Sequence, residues 1–185
     1  MNIRTSRLEL RPVREADLMS LVAALSNPRI ARNLTRVPWP YGLNDARHFY
    51  EQTLRLPPQS SILAITLRAN VDQLVGVIAY EGMPVPELGY WLGEAFWNKG
   101  ITSEAASAVI ERAFTVSGNE RVRSRCILGN EPSRRVLIGL GSKPVGISSV
   151  YSKARKRNVI SQTFELTANE WRQGEGSSLW SKVTL

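Results

Sequence analysis

The chain has 185 residues, a length that favours one domain, and its 43% hydrophobic and 22% charged residues are typical of globular proteins. Its single cysteine, Cys126, excludes an internal disulfide and fits a reducing compartment. One histidine and one cysteine are too few for a structural zinc site, and we expect no metal. No stretch approaches about 18 apolar residues, so we expect no membrane-spanning helix. The N-terminal segment MNIRTSRLEL lacks the apolar core of a signal peptide, which favours a cytoplasmic protein.

The charge of the chain favours anionic partners. The formal net charge is +8 at neutral pH. Such a balance is typical of proteins that meet a nucleic acid, a phosphorylated cofactor or an acidic surface. The charge alone does not choose among these three.

The N-terminal segment predicts a strand followed by a helix. Residues 7–13, RLELRPV, place Leu8 and Leu10 on one face and charged side chains on the other, which predicts a half-buried strand. Residues 14–27 carry apolar side chains at the i, i+3, i+4 and i+7 spacing of an amphipathic helix. An Asn-Pro pair ends this pattern, so the predicted helix stops there.

A second helix and a hairpin follow. The loop 36–42, RVPWPYG, is rich in prolines and aromatic residues. The next segment, 43–56, predicts a helix with Asn44 or Asp45 as its N-cap. Two β-branched, apolar runs then predict the paired strands 61–67 and 73–80.

The remaining elements complete a mixed α/β layout. Residues 87–93 predict a third strand of this region, in which Gly89 indicates a bulge or a close backbone approach. The later predicted elements are a helix over 102–116, a strand over 121–128, a helix over 130–141, and strands over 145–152 and 161–167. The order β-α-α-β-β-β-α-β-α-β-β predicts helices that cover a central sheet.

The segment FWNKGITSE at 96–104 is the strongest local candidate for a binding site. A glycine-containing loop leads into a helix, and the free N–H groups and partial positive charge of a helix N-terminus suit an anion such as a pyrophosphate. Lys99 adds a positive charge, and Thr102 or Ser103 offers a hydroxyl. The segment lacks the glycine pattern of a Walker loop or a dinucleotide fingerprint. An ordinary capped turn would explain the same residues.

Three segments in the same order resemble one family. ELGYWLGEAFWNKGITSEAASAVIERAF is similar to the acyl-CoA-binding core of the GNAT (Gcn5-related) N-acetyltransferases. SRLELRPVREADL resembles the first strand and helix of the branch that acetylates ribosomal-protein N-termini, and NEPSRRVLIGLGSKPVG resembles its second signature. The resemblance spans about residues 5–171.

The resemblance implies a fold and an activity. The fold would be one α/β domain over residues 1–171, with a mostly antiparallel, splayed sheet flanked by helices and a C-terminal tail over 172–185. The activity would be direct acetyl transfer from acetyl-CoA to a primary amine, either a small molecule or a protein N-terminus such as that of a ribosomal protein. Relatives often form dimers, so a homodimer is a further expectation.

The resemblance also implies a cofactor site. The strand that holds 87–92 would diverge from its neighbour and receive the pantetheine arm. The loop 97–102 would hold the pyrophosphate through backbone amides, Asn130 would bond the pantetheine, and Ser133 would lie near the sulfur. The expected cofactor-binding residues are Tyr90, Trp91, Leu92, Trp97, Asn98, Lys99, Gly100, Ile101, Thr102, Asn130 and Ser133.

Two residues are candidates for proton transfer. Glu87 begins the diverging strand and would act as the base, although a solvated carboxylate at a strand edge would look the same. The tyrosine that many relatives use as a general acid has no obvious counterpart, which leaves Ser133. Glu104, in the first turn of the predicted helix 102–116, is interpreted as support for the helix dipole.

The acceptor side is less defined. Trp39 and Tyr41 lie in the loop that usually borders the acceptor site in this fold, and His48 follows on the next helix. They would line a substrate pocket; otherwise Trp39 and Tyr41 would only cover the core, and His48 would be an ordinary packed or exposed helical histidine. The basic stretch KARKRN at 153–158 would dock an acidic partner or RNA, or it would be a solvated hairpin tip.

Two other functions stay open. A basic nucleic-acid-binding module on the same fold would explain the net charge, although the basic residues are scattered and no RNA-binding aromatic signature is present, so we do not expect a nucleic-acid partner. A CoA-sensing protein without turnover would explain the loop and helix equally well.

Overall fold

The computed structural model describes residues 2–57 and 60–174. These residues contain eight strands and six α-helices. The strands are β1 (Ile3–Arg4), β2 (Leu8–Pro12), β3 (Ser61–Leu67), β4 (Asn70–Glu81), β5 (Glu87–Leu92), β6 (Arg121–Ile127), β7 (Lys143–Ser152) and β8 (Arg157–Thr167). The helices are α1 (Leu18–Leu25), α2 (Pro28–Ala31), α3 (Leu43–Leu54), α4 (Ile101–Thr115), α5 (Glu131–Gly139) and α6 (Ala168–Gln173). None of these helices is long and apolar enough to cross a membrane.

The strands form one mixed sheet in the order β1-β2-β3-β4-β5-β6-β8-β7. Within the described residues, β5 and β6 are parallel and the other neighbouring strands are antiparallel. The expected α/β fold with a mostly antiparallel sheet is therefore confirmed. It is the parallel pair that places the start of α4 beside the start of α5.

Helices cover both faces of the sheet. On one face, α1 and α3 bury Leu21, Leu25 and Ala46 against Ala64 and Val77 of the central strands. On the other face, α4 buries a row of small and branched side chains against the same strands; they are Ala105, Ala106, Ala108, Val109 and Ala113. The small residues let α4 pack closely on the sheet, which fixes the position of its N-terminus.

Several predicted elements match and others need correction. Strand 61–67 is confirmed as β3, and the helix predicted over 102–116 is α4. The strand β1 and the helices α2 and α6 were not predicted. The N-cap of α3 is Gly42, and Asp45 instead accepts the backbone N–H of Gly42 at 2.8 Å. Asn44 and Asp45 are therefore wrong as N-caps.

The bulge predicted at Gly89 is also wrong. The pairing of β5 with β4 runs without a register shift from Glu81 opposite Glu87 to Gly76 opposite Leu92. Gly89 lies opposite Ala79 within this regular ladder.

A strand does form within residues 7–13, but the prediction that its charged face is exposed is wrong. Both Glu9 and Arg11 are buried, with Arg11 only 1% exposed. Arg11 forms two hydrogen bonds of 2.8 Å to the Asp17 carboxylate and donates to the Val71 and Pro12 carbonyls. Since the guanidinium is fully partnered, its burial costs far less than that of an isolated charge. The hydrogen bond to Asp17 and the attraction of its charge raise the pKa of Arg11 against the opposing effect of burial.

The C-terminal boundary of the domain stays a prediction. Trp171 is buried and donates to Glu111 Oε2 at 2.6 Å, while α6 continues to Gln173. Most of the predicted tail, 175–185, lies outside the described residues.

We expect Asp17→Ala to lower the free energy of unfolding by about 3–5 kcal/mol, because it leaves a buried guanidinium without its carboxylate. Asp72→Ala is the control, since Asp72 is the 87% exposed partner of Arg14, and its cost should stay under about 1 kcal/mol. Urea unfolding followed by tryptophan fluorescence measures both variants. Equal losses would contradict a dominant role for the buried pair.

Candidate functional site

The sheet opens between β5 and β6. Among the described residues these strands pair at Glu87 with Arg123 and at Leu88 with Ser124, and not beyond. From Gly89 onwards β5 keeps its ladder with β4, while β6 continues its ladder with β8. A Cβ atom added at Gly89 would meet no heavy atom within 4 Å. A gap that an extended ligand can enter therefore lies between two rigid strands.

A left-handed loop joins β5 to α4 at the wide end of this gap. Asn98 and Gly100 have positive φ angles of 59° and 72°, and Gly100 directly precedes Ile101. The Glu104 N–H donates to Gly100 O at 3.1 Å as the first turn of the helix closes. The N–H groups of residues 101–103 precede this bond, so they are the free donors of the helix N-terminus. Together with the loop they form a concave set of amides suited to an anion.

The N-terminal turn of the chain fixes this loop. Arg7 donates from Nη1 to Lys99 O at 2.9 Å and from Nε to Glu104 Oε2 at 2.7 Å. The other oxygen of Glu104 accepts from Thr5 Oγ1 at 2.5 Å, from Ser6 Oγ at 3.0 Å and from the backbone N–H of Arg7 at 3.0 Å. Burial opposes the charge of Glu104, but these hydrogen bonds outweigh it and hold the pKa of the carboxyl below its ordinary value.

The Trp97 side chain stabilises the loop between β5 and α4 through contacts with the rest of the protein. Trp97 Nε1 donates to Leu92 O at 2.7 Å, and the Arg29 guanidinium lies 5.3 Å from the centre of the Trp97 ring. Lys99 Nζ donates to Ala95 O at 2.9 Å, so its ammonium group lies at the exposed rim of the loop. Trp97 therefore stabilises the loop by packing and hydrogen bonding within the protein, whereas the Lys99 ammonium group is accessible to a ligand.

Three polar groups meet where α5 begins beside the gap. Asn130 is the N-cap of α5, and its side-chain oxygen accepts from the Ser133 N–H at 3.5 Å. The Tyr90 hydroxyl lies 3.1 Å from Ser133 Oγ and 3.3 Å from Ser133 O. Burial raises the pKa of the Tyr90 phenol, so it stays protonated at neutral pH. Tyr90 of β5 thus fixes Ser133 of α5 from across the gap.

Cys126 lies beside this group. Its side chain is buried, and Sγ donates to Asn130 O at 3.3 Å. Burial raises the pKa of the thiol, which disfavours the reactive thiolate. A cavity of about 50 Å³ opens here, lined by Cys126, Asn130 and Gln162 among others. This placement agrees with a packing role for the cysteine.

Glu87 lies where β5 and β6 are still paired. Its Oε2 forms an ion pair of 2.9 Å with Arg125 Nη2, and Arg125 lies on β6 just after the last paired residue, Ser124. Glu87 also lies opposite Glu81 of β4, whose carboxylate is paired with Arg36. The candidate base is thus at the narrow end of the gap, with one oxygen held by a guanidinium.

Several of the other residues predicted to bind the cofactor have side chains that pack in the core. Leu92 and Ile101 are buried in the core under α4, and Trp91 packs on the opposite face with α1 and α3. Their side chains face away from the gap, so only their backbone lies beside it or in the loop. Thr102 is partly exposed in the first turn of α4.

The structure separates the residues predicted for the substrate pocket. Trp39 is 42% exposed and its Nε1 lies 3.4 Å from Ser26 O. Tyr41 is buried in the apolar cluster of α1 and α3, and this burial, with the Asp45 charge, raises its pKa to about 12. His48 is exposed on α3 with Nε2 3.1 Å from Gln52 Nε2. Tyr41 therefore packs in the core, and the substrate role of all three stays a prediction.

Arg7 is a site residue that the sequence prediction missed. It is 97 positions from Glu104, and no local pattern indicates that the two meet. The resemblance covered both segments separately but did not connect them.

Comparisons with known proteins match this chain to one family. Residues 7–143 match the family model described as Acetyltransferase (GNAT) domain. A Bacillus licheniformis protein named uncharacterized N-acetyltransferase p20 is 27% identical over 173 residues, which are 90% of this chain and 96% of the relative.

Two solved structures show the same fold. An acetyltransferase (GNAT family) from Bacillus anthracis has a TM-score of 0.78 at 20% identity, covering 90% of this chain and 98% of that one. RimL, a ribosomal L7/L12 α-N-protein acetyltransferase in complex with coenzyme A, has a TM-score of 0.78 at 18% identity, covering 92% and 99%.

We expect Glu104→Gln to lower the free energy of unfolding at neutral pH by about 1–3 kcal/mol, because it weakens the hydrogen bonds to a partly buried carboxylate. Since the pKa of Glu104 is lower in the folded state, the unfolded chain binds the proton first as the solution is acidified. The advantage of the wild type should thus be complete above the ordinary pKa of 4.5 and disappear as the pH falls through the lowered one.

Denaturant unfolding of both proteins from neutral to acidic pH measures this difference. Glu51→Gln, at an exposed position of α3, is the control and should show no such trend. A wild-type advantage that is constant with pH would contradict the assignment.

Proposed function

This chain belongs to the acetyltransferase (GNAT) domain family and is an N-acetyltransferase, and we propose that it transfers the acetyl group of acetyl-CoA directly to a primary amine. The observation that carries the proposal is the gap after Leu88 and Ser124, with the amides of the left-handed loop at its wide end. A linear ligand with an anionic group at one end fits both features.

The residues present fit the pantetheine arm. Backbone N–H and C=O groups of β5 from Gly89 onwards have no strand partner on the β6 side within the described residues. An amide-containing arm that enters as a short strand satisfies such groups. We assign the backbone of 89–92 to this contact and the Asn130 side chain to a further hydrogen bond.

The loop fits the pyrophosphate. Residues 98–102 would hold it through backbone N–H groups, with the dipole of α4 aligned to the negative charge. Lys99 would add a charge from the rim, since its ammonium group is exposed and has three N–H donors, of which the bond to Ala95 O uses one. Trp97 and Arg7 would keep the loop in shape without contacting the ligand.

The chemistry requires little covalent help from the protein. A thioester is already activated, so holding a neutral amine next to its carbonyl supplies much of the rate. An α-amine has an ordinary pKa of about 8, so a modest base suffices. We assign this role to Glu87, at the narrow end of the gap, and a backbone N–H of β5 would stabilise the developing oxyanion.

Ser133 would return a proton to the departing thiolate. Its Oγ lies in a hydrogen bond with Tyr90, whose phenol stays protonated, so the hydroxyl is both oriented and backed by a second donor. A serine alone is a weak acid, and the pairing with Tyr90 supports this assignment.

The proposal also covers the class of acceptor, the location of the protein in the cell, its domain bounds and its assembly. Similarity in fold to enzymes named for ribosomal proteins supports a protein N-terminus as acceptor, with a small amine as the alternative. Trp39 and His48 are proposed to border the acceptor. We further propose a cytoplasmic protein with a catalytic domain over 1–171, a tail over 172–185, and a homodimer as its assembly.

Thr102→Asp tests the pyrophosphate site. A carboxylate in the first turn favours the helix but repels a bound anion, so the free protein should keep its stability while acetyl-CoA affinity falls about tenfold or more. Thr102→Asn is the neutral control. Melting temperatures with and without acetyl-CoA measure both, because saturation at about 100 times the Kd adds roughly 2.7 kcal/mol.

Equal affinity of the wild type and Thr102→Asp would contradict this site. No shift with acetyl-CoA, together with a salt-sensitive shift with RNA, would support the nucleic-acid alternative instead.

Glu87→Gln and Ser133→Ala test the chemical step. We expect each to lower kcat about 10²-fold with little change in the KM for acetyl-CoA, because both act in proton transfer rather than in binding. CoA release in the presence of an amine measures the rates, and Glu131→Gln, an exposed carboxylate of α5, is the control. An unchanged kcat removes that residue from the mechanism. Binding of acetyl-CoA without turnover in the wild type would support a CoA sensor.

A further inference from the structure

A compact group of cations lies where two distant loops meet. Arg32 and Arg36 follow α2, Lys153, Arg155 and Lys156 lie in the turn between β7 and β8, and Arg157 begins β8; we name these six residues the basic lobe. Arg155 Nε donates to Arg32 O at 2.8 Å, and the Lys153 N–H donates to Thr35 O at 2.9 Å. The two loops are thus fastened together, and their cations are held on one surface.

The basic lobe contains no compensating acid of its own. Residues 18–44 and 143–164 include neither aspartate nor glutamate. Arg36 is paired with Glu81, whereas within 2–57 and 60–174 the other five cations of the lobe have no carboxylate within 4.0 Å. Four of those five are exposed.

Many arginines outside the lobe are neutralised by neighbours. Arg121 and Arg123 share Glu165, Arg125 pairs with Glu87, and Arg134 pairs with Glu131. The cations of β6 therefore do not extend the lobe into a continuous positive track. The lobe is therefore bounded on the β6 side by cations that already have carboxylate partners.

The lobe adjoins the acceptor side of the proposed site. Arg36 binds the carboxylate of Glu81, and Glu81 lies directly opposite Glu87 in the β4–β5 ladder. One edge of the lobe is thus one strand away from the candidate base. A chain whose amine reaches Glu87 would place its following residues near the lobe.

We propose that the basic lobe binds an acidic segment of a polypeptide whose N-terminal amine is the acetyl acceptor. The inference rests on the proposed function and names the class of its acceptor. Carboxylates a few residues from the reacting amine would contact the guanidinium and ammonium groups of the lobe, which draws the acceptor in and orients it.

A polypeptide fits the lobe better than a nucleic acid does. A nucleic-acid backbone carries charge at regular intervals and needs a long basic groove, usually with aromatic side chains for stacking. The unpaired cations of the lobe lie on one turn and one loop, so they offer no long groove. A short acidic stretch matches that extent.

Two peptides test the proposal with the full chain and acetyl-CoA. Both have a free N-terminus and the same first two residues; one continues with aspartates and glutamates, and the other has asparagine and glutamine in their place. CoA release gives kcat/KM for each peptide at low and moderate salt. We expect the acidic peptide to be preferred about tenfold at low salt, with the preference shrinking as salt is added.

The double variant Lys153→Gln/Arg157→Gln removes two cations of the lobe and keeps the hydrogen bonds of Arg155 and of the Lys153 backbone. It should lose most of the preference, while kcat/KM for the amide peptide changes about twofold or less. The double variant Arg55→Gln/Arg172→Gln makes the same change in net charge at exposed positions outside the lobe, and it should keep the preference.

Each result decides a different point. Transfer to both peptides without an acidic preference, or an equal loss in the two double variants, would overturn the inference and leave the proposed function intact. RNA that inhibits the wild type but not the lobe variant, with no preference between peptides, would overturn it in favour of a nucleic acid. No CoA release with these peptides or with small amines would overturn the proposed function itself.

Discussion

The divergence of two parallel strands is the constraint on which the candidate site depends. β5 and β6 each complete a ladder on their outer side, with β4 and β8, but share just two paired positions between them. Backbone groups inside a sheet need hydrogen-bond partners, and here water or an extended ligand must supply them. The same divergence places the loop before α4 at the wide end and the start of α5 along one side. In the proposed function, binding and chemistry therefore both depend on the divergence of this one strand pair.

The start of the chain stabilises this arrangement from a distance. Thr5, Ser6 and Arg7 all bond to Glu104, and Arg7 also bonds to Lys99 O, so the loop is fixed by a segment that precedes it by more than ninety residues. The next strand is anchored by the buried pair of Arg11 and Asp17. An anion site made of backbone amides depends on such bracing, because the amides must point to one place before the ligand arrives.

Local patterns predicted most of this fold. The apolar, β-branched run 61–67 and the helical segment 102–116 were predicted from local sequence, and the structure confirms both as β3 and α4. Local sequence patterns fail where residues distant in sequence determine whether a side chain is buried. Arg11 looks like a solvent-facing residue of an alternating strand, yet Asp17 and the Val71 carbonyl, both outside its own strand, compensate for its burial.

The candidate site shows the same limit. Gly89 was expected to mark a bulge or a close backbone approach, but its ladder with β4 is regular and the irregularity lies on the β6 side. Tyr41 was expected to line a substrate pocket, because its loop borders the acceptor site in the family, or else to pack against the core, and the cluster of α1 and α3 buries it. The contact of Tyr90 with Ser133 joins segments 43 positions apart, which a single sequence does not reveal. Which loop amides and side chains gather around the gap is set by sheet order, and sheet order is not a local property.

The ion pair between Glu87 and Arg125 connects the geometry of the gap with its selectivity. Arg125 comes directly after Ser124, the last residue of β6 that pairs with β5, so the ion pair crosses between the strands at the point where they part. An amine that approaches Glu87 must share that carboxylate with a guanidinium. Under the proposed function, the base is therefore held in place before the amine binds, and the guanidinium would disfavour an amine that arrives already protonated. Carboxylates further along the acceptor would offset the local positive charge of Arg125 and Arg36.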